Sequence, residues 1–190
     1  TFRIKVNPID TGLTGQFKDA KEVHRWEVPE FILSNVKEDY GMRLNWANFD
    51  ASKNPAGIEF SNPRKPDIKY FTTKNRNFVF SDKFIEMGFL VESRKIYGFG
   101  ERSRTLELNP GNYTTWSNGR DNEFDPGELG HHSYGDHPFV LVKLKDNSFL
   151  GLFFFNSNAK VLEYTHVGED SSVLNFRSIG GILDFFAFTG

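Results

Sequence analysis

Residues 139–156 read FVLVKLKDNSFLGLFFFN and predict a β-hairpin. The first arm, Phe139–Leu144, is an apolar run of strand-forming residues. Asp146-Asn147-Ser148 is typical of a tight turn, and Leu150–Asn156 forms the second arm. Phe153–Phe155 are apolar on both faces of that arm, as in a strand that lies in the core of a β-sandwich. The hairpin therefore predicts a fold of packed sheets.

Short strands are predicted on both sides of this hairpin. They are Phe2–Val6, Arg25–Pro29, Gly41–Trp46, Ile58–Phe60, Lys69–Thr72, Asn77–Ser81, Phe84–Val91, Lys95–Phe99, Thr105–Leu108, Lys160–Tyr164, Leu174–Phe176 and Ile182–Phe188. Asn48–Pro55 is predicted to be a turn region, and Lys74-Asn75 is predicted to close a hairpin between its two neighbouring strands. No window carries the capped stripe of period 3.6 expected of a helix. With 21 Phe and two Met, the chain is predicted to be all-β, an antiparallel β-sandwich without substantial helix.

A long polar loop is predicted at about residues 109–138, which read NPGNYTTWSNGRDNEFDPGELGHHSYGDHP. Loops of this length are usually functional or disordered, and the interleaved aromatic residues argue against disorder. Carboxylates such as Asp121 beside rings such as Trp116 suit a polyhydroxylated ligand, because carboxylates accept hydroxyl hydrogen bonds and rings offer an apolar face. The alternative is a solvated surface loop that its aromatic residues hold in place.

Size and composition exclude several classes of protein. The 190 residues predict one domain, 1–190. A net charge of −2 without a basic stripe argues against a nucleic-acid partner, and no apolar run approaches the ~20 residues that span a bilayer. The absence of Cys excludes disulfides and thiolate metal sites. The chain begins at Thr1 and ends at Gly190 after an apolar strand, which predicts a processed or partial sequence; Asn112-Tyr113-Thr114 would permit N-glycosylation.

No cofactor, metal or catalytic group is predicted from the residues. Gly98–Gly100 lacks the third glycine and the helix of a dinucleotide loop. Asp121–Asp125 alternates carboxylates as a calcium loop does, but the EF-hand glycine and glutamate positions hold Pro126 and His132; an irregular cation site stays a minor alternative. The histidines of 131–137 lack the spacing of a zinc peptidase. No carboxylate pair, serine triad or cysteine–histidine pair is recognisable.

Six motifs, in order, resemble one known family. They are Phe80–Ile85 (fsDqfi), Ile96–Arg102 (iYGlGEr), Thr115-Trp116 with Arg120-Asp121 (TxW…RD), Tyr134–Phe139 (YGsHPfy), Asn156–Ala159 (NSNAm) and Ile179–Phe185 (tiGGilDfyfflG). Arg25–Pro29 also resembles an early strand of that family. From about Phe2 to Gly190 the chain resembles the N-terminal β-sandwich domain of glycoside hydrolase family 31, the α-glucosidases. It is most similar to the acid α-glucosidase, sucrase-isomaltase and maltase-glucoamylase branch, and lies outside the glucosidase II branch.

The resemblance implies a galactose mutarotase-like sandwich that packs on a catalytic (β/α)8 barrel. Both catalytic Asp residues of such enzymes lie on the barrel, so this chain should be inactive alone. The resemblance further implies that Asp121 binds hydroxyls of an α-glucoside substrate, that Tyr134 lies near the same pocket and that Trp116 is the third candidate. It implies a secretory-pathway location, lysosomal or extracellular.

Two alternatives to an α-glucosidase domain stay open. One is a non-catalytic carbohydrate-binding or structural subunit, and the other is a scaffold piece with no sugar ligand. Several motif residues are predicted to be structural: Gly180-Gly181 as turn and packing residues, Asn156 and Asn158 as turn caps, and Glu101-Arg102 as an internal pair.

Overall fold

A computed structural model of the chain describes residues 2–6, 47–50, 57–62, 64–81, 83–116 and 132–190. Every regular element in these ranges is a β-strand, and the predicted all-β class is confirmed. The strands are β1 Phe2–Val6, β2 Ala47–Asp50, β3 Gly57–Asn62, β4 Lys65–Thr72, β5 Phe78–Phe80, β6 Ile85–Val91, β7 Ile96–Arg102, β8 Gly111–Thr115, β9 His132–Lys143, β10 Phe149–Phe154, β11 Lys160–Val167, β12 Ser171–Ser178 and β13 Leu183–Thr189. Within the same ranges, no helix has the length and hydropathy to cross a lipid bilayer.

The strands form two antiparallel sheets. Sheet A has five strands in the order β1-β13-β10-β9-β7. Sheet B has eight, in the order β2-β3-β4-β6-β12-β11-β8, with β5 also paired to β6. Strand β13 lies between β1 and β10, so the first and last described strands are hydrogen-bonded neighbours: Phe2 pairs with Ala187, and Val6 pairs with Leu183. Sheet A therefore depends on both ends of the sequence.

The core between the sheets is a cluster of phenylalanines. The rings of Phe154 on β10 and Phe185 on β13 stack 4.5 Å apart. Phe89 on β6 and Phe176 on β12 meet Phe185 edge-on, at 4.9 and 5.2 Å. All four are buried. Because successive strand residues face opposite sides, these rings join the inner faces of the two sheets.

The predicted hairpin at residues 139–156 is confirmed. Phe149 pairs with Lys143, and Phe153 pairs with Phe139. At its turn, the carboxylate of Asp146 accepts hydrogen bonds from the backbone N–H of Ser148 at 3.1 Å and from its hydroxyl at 2.5 Å. Asn147 has a φ of 65°, a conformation that asparagine tolerates better than most residues.

Three predictions of local structure are wrong: one strand pairing, one turn and one strand. The strands flanking Lys74-Asn75 do not pair with each other, since Thr72 pairs with Leu90 and β5 pairs with the N-terminal part of the same strand, β6. Part of the turn region 48–55 is strand β2. Thr105–Leu108 forms only an isolated bridge, between Tyr97 and Glu107. Alternation of apolar and polar residues shows that a segment is extended, but it does not identify the strand with which the segment pairs. The predicted strands Arg25–Pro29 and Gly41–Trp46 lie outside the described residues.

The outer face of sheet A also carries aromatic rings. Phe139, Phe153, Phe186 and Phe188 alternate with core residues along β9, β10 and β13, and we call them the outer phenylalanine face. Neighbouring ring centroids lie 6.3 to 6.4 Å apart. The guanidinium of Arg3 stacks 5.0 Å from the Phe186 ring. Sheet A therefore carries apolar side chains on its outer face as well as on the face that packs in the core.

Candidate functional site

The predicted loop at 109–138 is too long at both ends. Residues 111–115 are strand β8, and β9 begins at His132. Tyr113 and Thr115 alternate inward from β8. The polar N-terminal part of β9 forms a strand by pairing with β7, and this pairing contains two register shifts. The Gly and Pro residues in that part hide the strand pattern in the sequence. Residues 117–131, and with them Asp121, lie outside the described part of the chain.

Three polar side chains tie the roots of this segment together. The Asp136 carboxylate on β9 accepts a hydrogen bond from the Thr115 hydroxyl on β8 at 2.9 Å, through Oδ1. Its Oδ2 accepts from the Lys160 ammonium on β11 at 2.6 Å. Thr115 is 0% exposed and Lys160 is 2% exposed. We call these residues the root cluster, because β8 and β9 are the strands that enter and leave the 117–131 segment.

Burial lowers the pKa of the Lys160 ammonium, although its hydrogen bond and Coulomb attraction to Asp136 act in the opposite direction. The root cluster was not predicted from the sequence. A signal for it exists, because Lys160 shares the inward face of β11 with Leu162 and Tyr164, and an inward lysine needs an anionic partner. The identity of that partner depends on the pairing of strands far apart in sequence.

Trp116 and Tyr134 both lie at these roots. Trp116 directly follows Thr115 and is 40% exposed; its ring centroid lies 5.4 Å from that of His132. Tyr134 stands on β9, two residues before Asp136, and is 52% exposed. Two of the three predicted site residues are thus accessible aromatic side chains at one end of the sandwich. The third, Asp121, falls between them in sequence.

The motif residues Glu101 and Arg102 anchor the same roots. The predicted pairing between them is wrong, because neighbouring strand residues point to opposite sides. The Glu101 carboxylate accepts a hydrogen bond from the backbone N–H of Gly135 on β9 at 2.9 Å. Arg102 donates to the backbone carbonyls of Phe99 and Thr114, the latter on β8. The end of β7 therefore contacts both β8 and β9.

The asparagine and glycine motifs are structural, as predicted. The Asn156 side chain donates to the carbonyls of Gly180 and Ile182 at 2.9 and 3.2 Å and accepts from the Asn158 backbone N–H at 2.8 Å. Gly181 has a φ of +86°, and a Cβ there would lie 2.9 Å from the Asn156 amide nitrogen. Only glycine fits this close approach.

A small cleft borders the end of β7. Its volume is about 200 Å³, and Glu101, Arg102 and Tyr113 are among the residues that line it. Small-molecule sites usually enclose ~300–1,000 Å³, so this cleft is smaller than a typical ligand site. Among the described residues, no group of three histidine, aspartate or glutamate side chains could hold a metal ion. The candidate cation ligands at 121–125 are outside those residues.

We expect His132 to make the domain less stable in mild acid. Burial lowers the pKa of its imidazole, with Arg102 and Lys160 acting in the same direction and the Gly135 carbonyl and Asp136 opposing. The unfolded chain has a histidine pKa of about 6.5, so it takes up the proton at a higher pH than the folded chain does. The contribution of neutral His132 is therefore complete above about pH 6.5 and is lost as the pH falls toward the folded-state pKa.

Urea unfolding between about pH 7 and pH 5 measures this effect. His132→Gln should flatten the decline in the free energy of unfolding relative to the parent. The control is His166→Gln: the pKa of that imidazole is also lowered, by partial burial and by Arg94, but the ring is exposed, so this variant should change the curve less. Identical curves for the parent and His132→Gln would contradict the assignment.

Comparison with known proteins shows that the chain is similar to part of several glycosidases. No known protein-family profile matches it. Human intestinal sucrase-isomaltase is 31% identical over 178 residues, which cover 92% of this chain and 9% of that protein. The probable alpha/beta-glucosidase agdC of Aspergillus fumigatus is 29% identical over 183 residues, covering 95% of this chain and 20% of that protein. The chain thus spans at most a fifth of the length of these relatives.

Solved structures show the same fold. A crystal structure of glucosidase II alpha subunit with Glc1Man2 bound superposes with a TM-score of 0.59, at 16% identity, over 76% of this chain and 20% of that one. At this identity the likeness shows the fold alone, and it does not place the chain in the glucosidase II branch. The chain is homologous to one segment of α-glucosidases. Its predicted resemblance to glycoside hydrolase family 31 is confirmed.

Proposed function

We propose that this chain is the N-terminal domain of a retaining α-glucosidase, which packs on a catalytic (β/α)8 barrel and supplies the segment between β8 and β9 to the sugar pocket. The observation that carries the proposal is the convergence of both roots of that segment. Thr115, Gly135 and Asp136 are each held by side chains from other strands or by one another. A segment with fixed roots can present Asp121 to a substrate reproducibly.

The three site residues have different roles in this proposal. Asp121 accepts hydrogen bonds from sugar hydroxyls, while Trp116 and Tyr134 offer aromatic faces to the C–H surface of the sugar. None of them cleaves the bond, because the nucleophile and the acid/base belong to the barrel.

The outer phenylalanine face supports packing against a further domain. Phe188 is 40% exposed and its neighbour Phe139 is half-buried, whereas Phe186 is only 8% exposed. Aromatic residues are enriched where two protein surfaces meet. We also propose synthesis in the secretory pathway, with a lysosomal or extracellular destination. Asn112 of the glycosylation sequon is exposed on strand β8, which makes it accessible to the glycosylation machinery.

Activity assays on the complete gene product test this proposal. We expect it to hydrolyse maltose and a chromogenic α-glucoside, and we expect residues 1–190 alone to give no turnover above a buffer control. Turnover by residues 1–190 would contradict the assignment of both catalytic groups to a barrel. A complete product that binds maltose without hydrolysing it would instead support the alternative, a non-catalytic carbohydrate-binding subunit.

A further inference from the structure

The sequence Asn112-Tyr113-Thr114 lies on an edge strand of the sandwich. It has the form Asn-X-Thr with a residue other than proline in the middle, which is the acceptor motif for N-linked glycans. The 190 residues contain no other Asn-X-Ser or Asn-X-Thr. Such tripeptides also occur by chance, so the position of the motif in the fold carries the argument.

Strand β8 presents the two functional residues of the motif to solvent. Successive strand residues face opposite sides. Tyr113 points inward and is 2% exposed, whereas Asn112 and Thr114 on either side of it are exposed. A sugar chain on Asn112 would therefore extend away from the core, and the buried tyrosine ring would keep its packing.

The side-chain amide of Asn112 is not used by the fold. Within the described ranges it has no hydrogen-bond partner. Its ladder neighbour on β11 is Glu163, whose carboxylate is already engaged, because it accepts hydrogen bonds from Asn175 and Arg177. The Asn112 amide nitrogen is thus available for a covalent bond, and forming that bond breaks no contact of the folded domain.

Strand β8 is also the terminal strand of sheet B, so one of its edges has no neighbouring strand among the described elements. Unpaired edges can pair with other chains, and natural proteins protect them. Arg102 contacts this strand by donating to the backbone carbonyl of Thr114. Asn112 lies two residues before Thr114, and a glycan there would shield a further part of the strand, because a glycan is bulky and solubilising.

We propose that Asn112 carries an N-linked glycan, which protects the free edge of β8 from pairing with other chains. In the reaction, Nδ2 of Asn112 forms a bond to C1 of the first N-acetylglucosamine of a lipid-linked oligosaccharide diphosphate. The bond from C1 to the diphosphate oxygen breaks, the lipid diphosphate leaves with the electron pair, and the amide releases a proton. The inference rests on the proposed secretory location, which supplies the donor and the transferase, and it requires no α-glucosidase activity.

The first test is direct detection of the glycan. The complete protein is secreted from a eukaryotic host with a heterologous signal peptide, and the peptide that contains Asn112 is analysed by mass spectrometry. We expect it to carry sugar, and peptide N-glycanase in heavy-oxygen water should convert the modified asparagine to labelled aspartate. Asn112→Gln and Thr114→Ala should both abolish the modification. Thr114→Ser is the matched control and should keep it, because serine also satisfies the motif.

The second test compares the aggregation of Thr114→Ala and Thr114→Ser. Both substitutions change the same exposed side chain, so their urea midpoints of unfolding should be alike. At equal protein concentration and mild heating, we expect light scattering to rise faster for Thr114→Ala, which lacks the glycan. Enzymatic removal of the glycan from Thr114→Ser should abolish the difference.

The outcomes separate this inference from the proposed function. A secreted, folded parent with an unmodified Asn112 would overturn the inference, whether or not that protein hydrolyses maltose. Equal aggregation of the alanine and serine variants would overturn the protective role of the glycan. A natural gene product that stays in the cytosol would overturn the proposed location, while glycosylation after secretion with the heterologous signal peptide would still support Asn112 as an acceptor.

Discussion

Phe185→Ala should lower the free energy of unfolding by about 3–5 kcal/mol, the usual cost of emptying a buried phenylalanine site. Phe185 is 1% exposed. Its ring contacts those of Phe154, Phe89 and Phe176 at 4.5 to 5.2 Å, so the cavity would open between the two sheets. Domains are stable by only ~5–15 kcal/mol, and the melting temperature should fall by roughly 6–20 °C.

Urea unfolding of the parent and the variant measures this loss, provided that both have the same m-value. Phe188→Ala is the matched control, because it makes the same substitution on the same strand but on the outer face, where the ring is 40% exposed. Its cost should be below about 1 kcal/mol. Equal losses in the two variants would show that the phenylalanine cluster is not the core that joins the sheets.

Under the proposed function, Asp121→Ala in the complete protein should reduce kcat/KM for maltose by about 10- to 100-fold. Hydrogen bonds to a charged group contribute ~1.5–3 kcal/mol when water is excluded, and each 1.4 kcal/mol corresponds to about one decade. If Asp121 contacts the substrate and not the core, folding should change little, because substitutions away from the core usually alter stability by no more than ~0.5 kcal/mol. Steady-state kinetics with a parallel melting curve measure both quantities.

Two further variants sharpen this prediction. Asp125→Ala is the control, since it removes a carboxylate of the same segment that lies outside the family motif, and kcat/KM should stay within about twofold of the parent. If Asp121 only braces the segment through Arg120, then Arg120→Ala and Asp121→Ala would reduce activity equally, and a double-mutant cycle would show strong coupling. A change below twofold for Asp121→Ala would remove its substrate-binding role.

Local patterns predicted the fold class and most strand positions. The hairpin at 139–156 could be predicted because its turn and both arms are adjacent in sequence. The strands flanking Lys74-Asn75 were paired wrongly, because β6 offers a longer edge that takes both of them. Partner choice is a property of the whole sheet, and one segment does not contain it.

In the candidate site, too, some features could be predicted from the sequence and others depend on long-range pairing. Motif resemblance predicts Trp116 and Tyr134 as site residues; both are exposed at the roots of the segment, and their role in binding stays a prediction. The root cluster as a whole could not be predicted, since β8 and β11 meet by long-range pairing in sheet B, and Asp136 on β9 reaches them only where sheet A packs on sheet B. Glu101 was paired with its sequence neighbour Arg102 because the sequence does not show the register between β7 and β9. The motifs do not show the pairing register of strands that are far apart in the sequence.

The position of β13 has a consequence for the protein during its synthesis. Arg3 on β1 and Asp184 on β13 are 181 residues apart in the chain, yet they form a two-fold hydrogen-bonded ion pair. A ribosome adds ~5–20 residues per second, so β1 emerges roughly 10–40 s before its only partner among the described strands. Until then β1 and one edge of β10 are unpaired and open to other chains. Among the described strands, β13 alone joins β1 to β10, so this part of sheet A stays incomplete until residues 183–189 have been made.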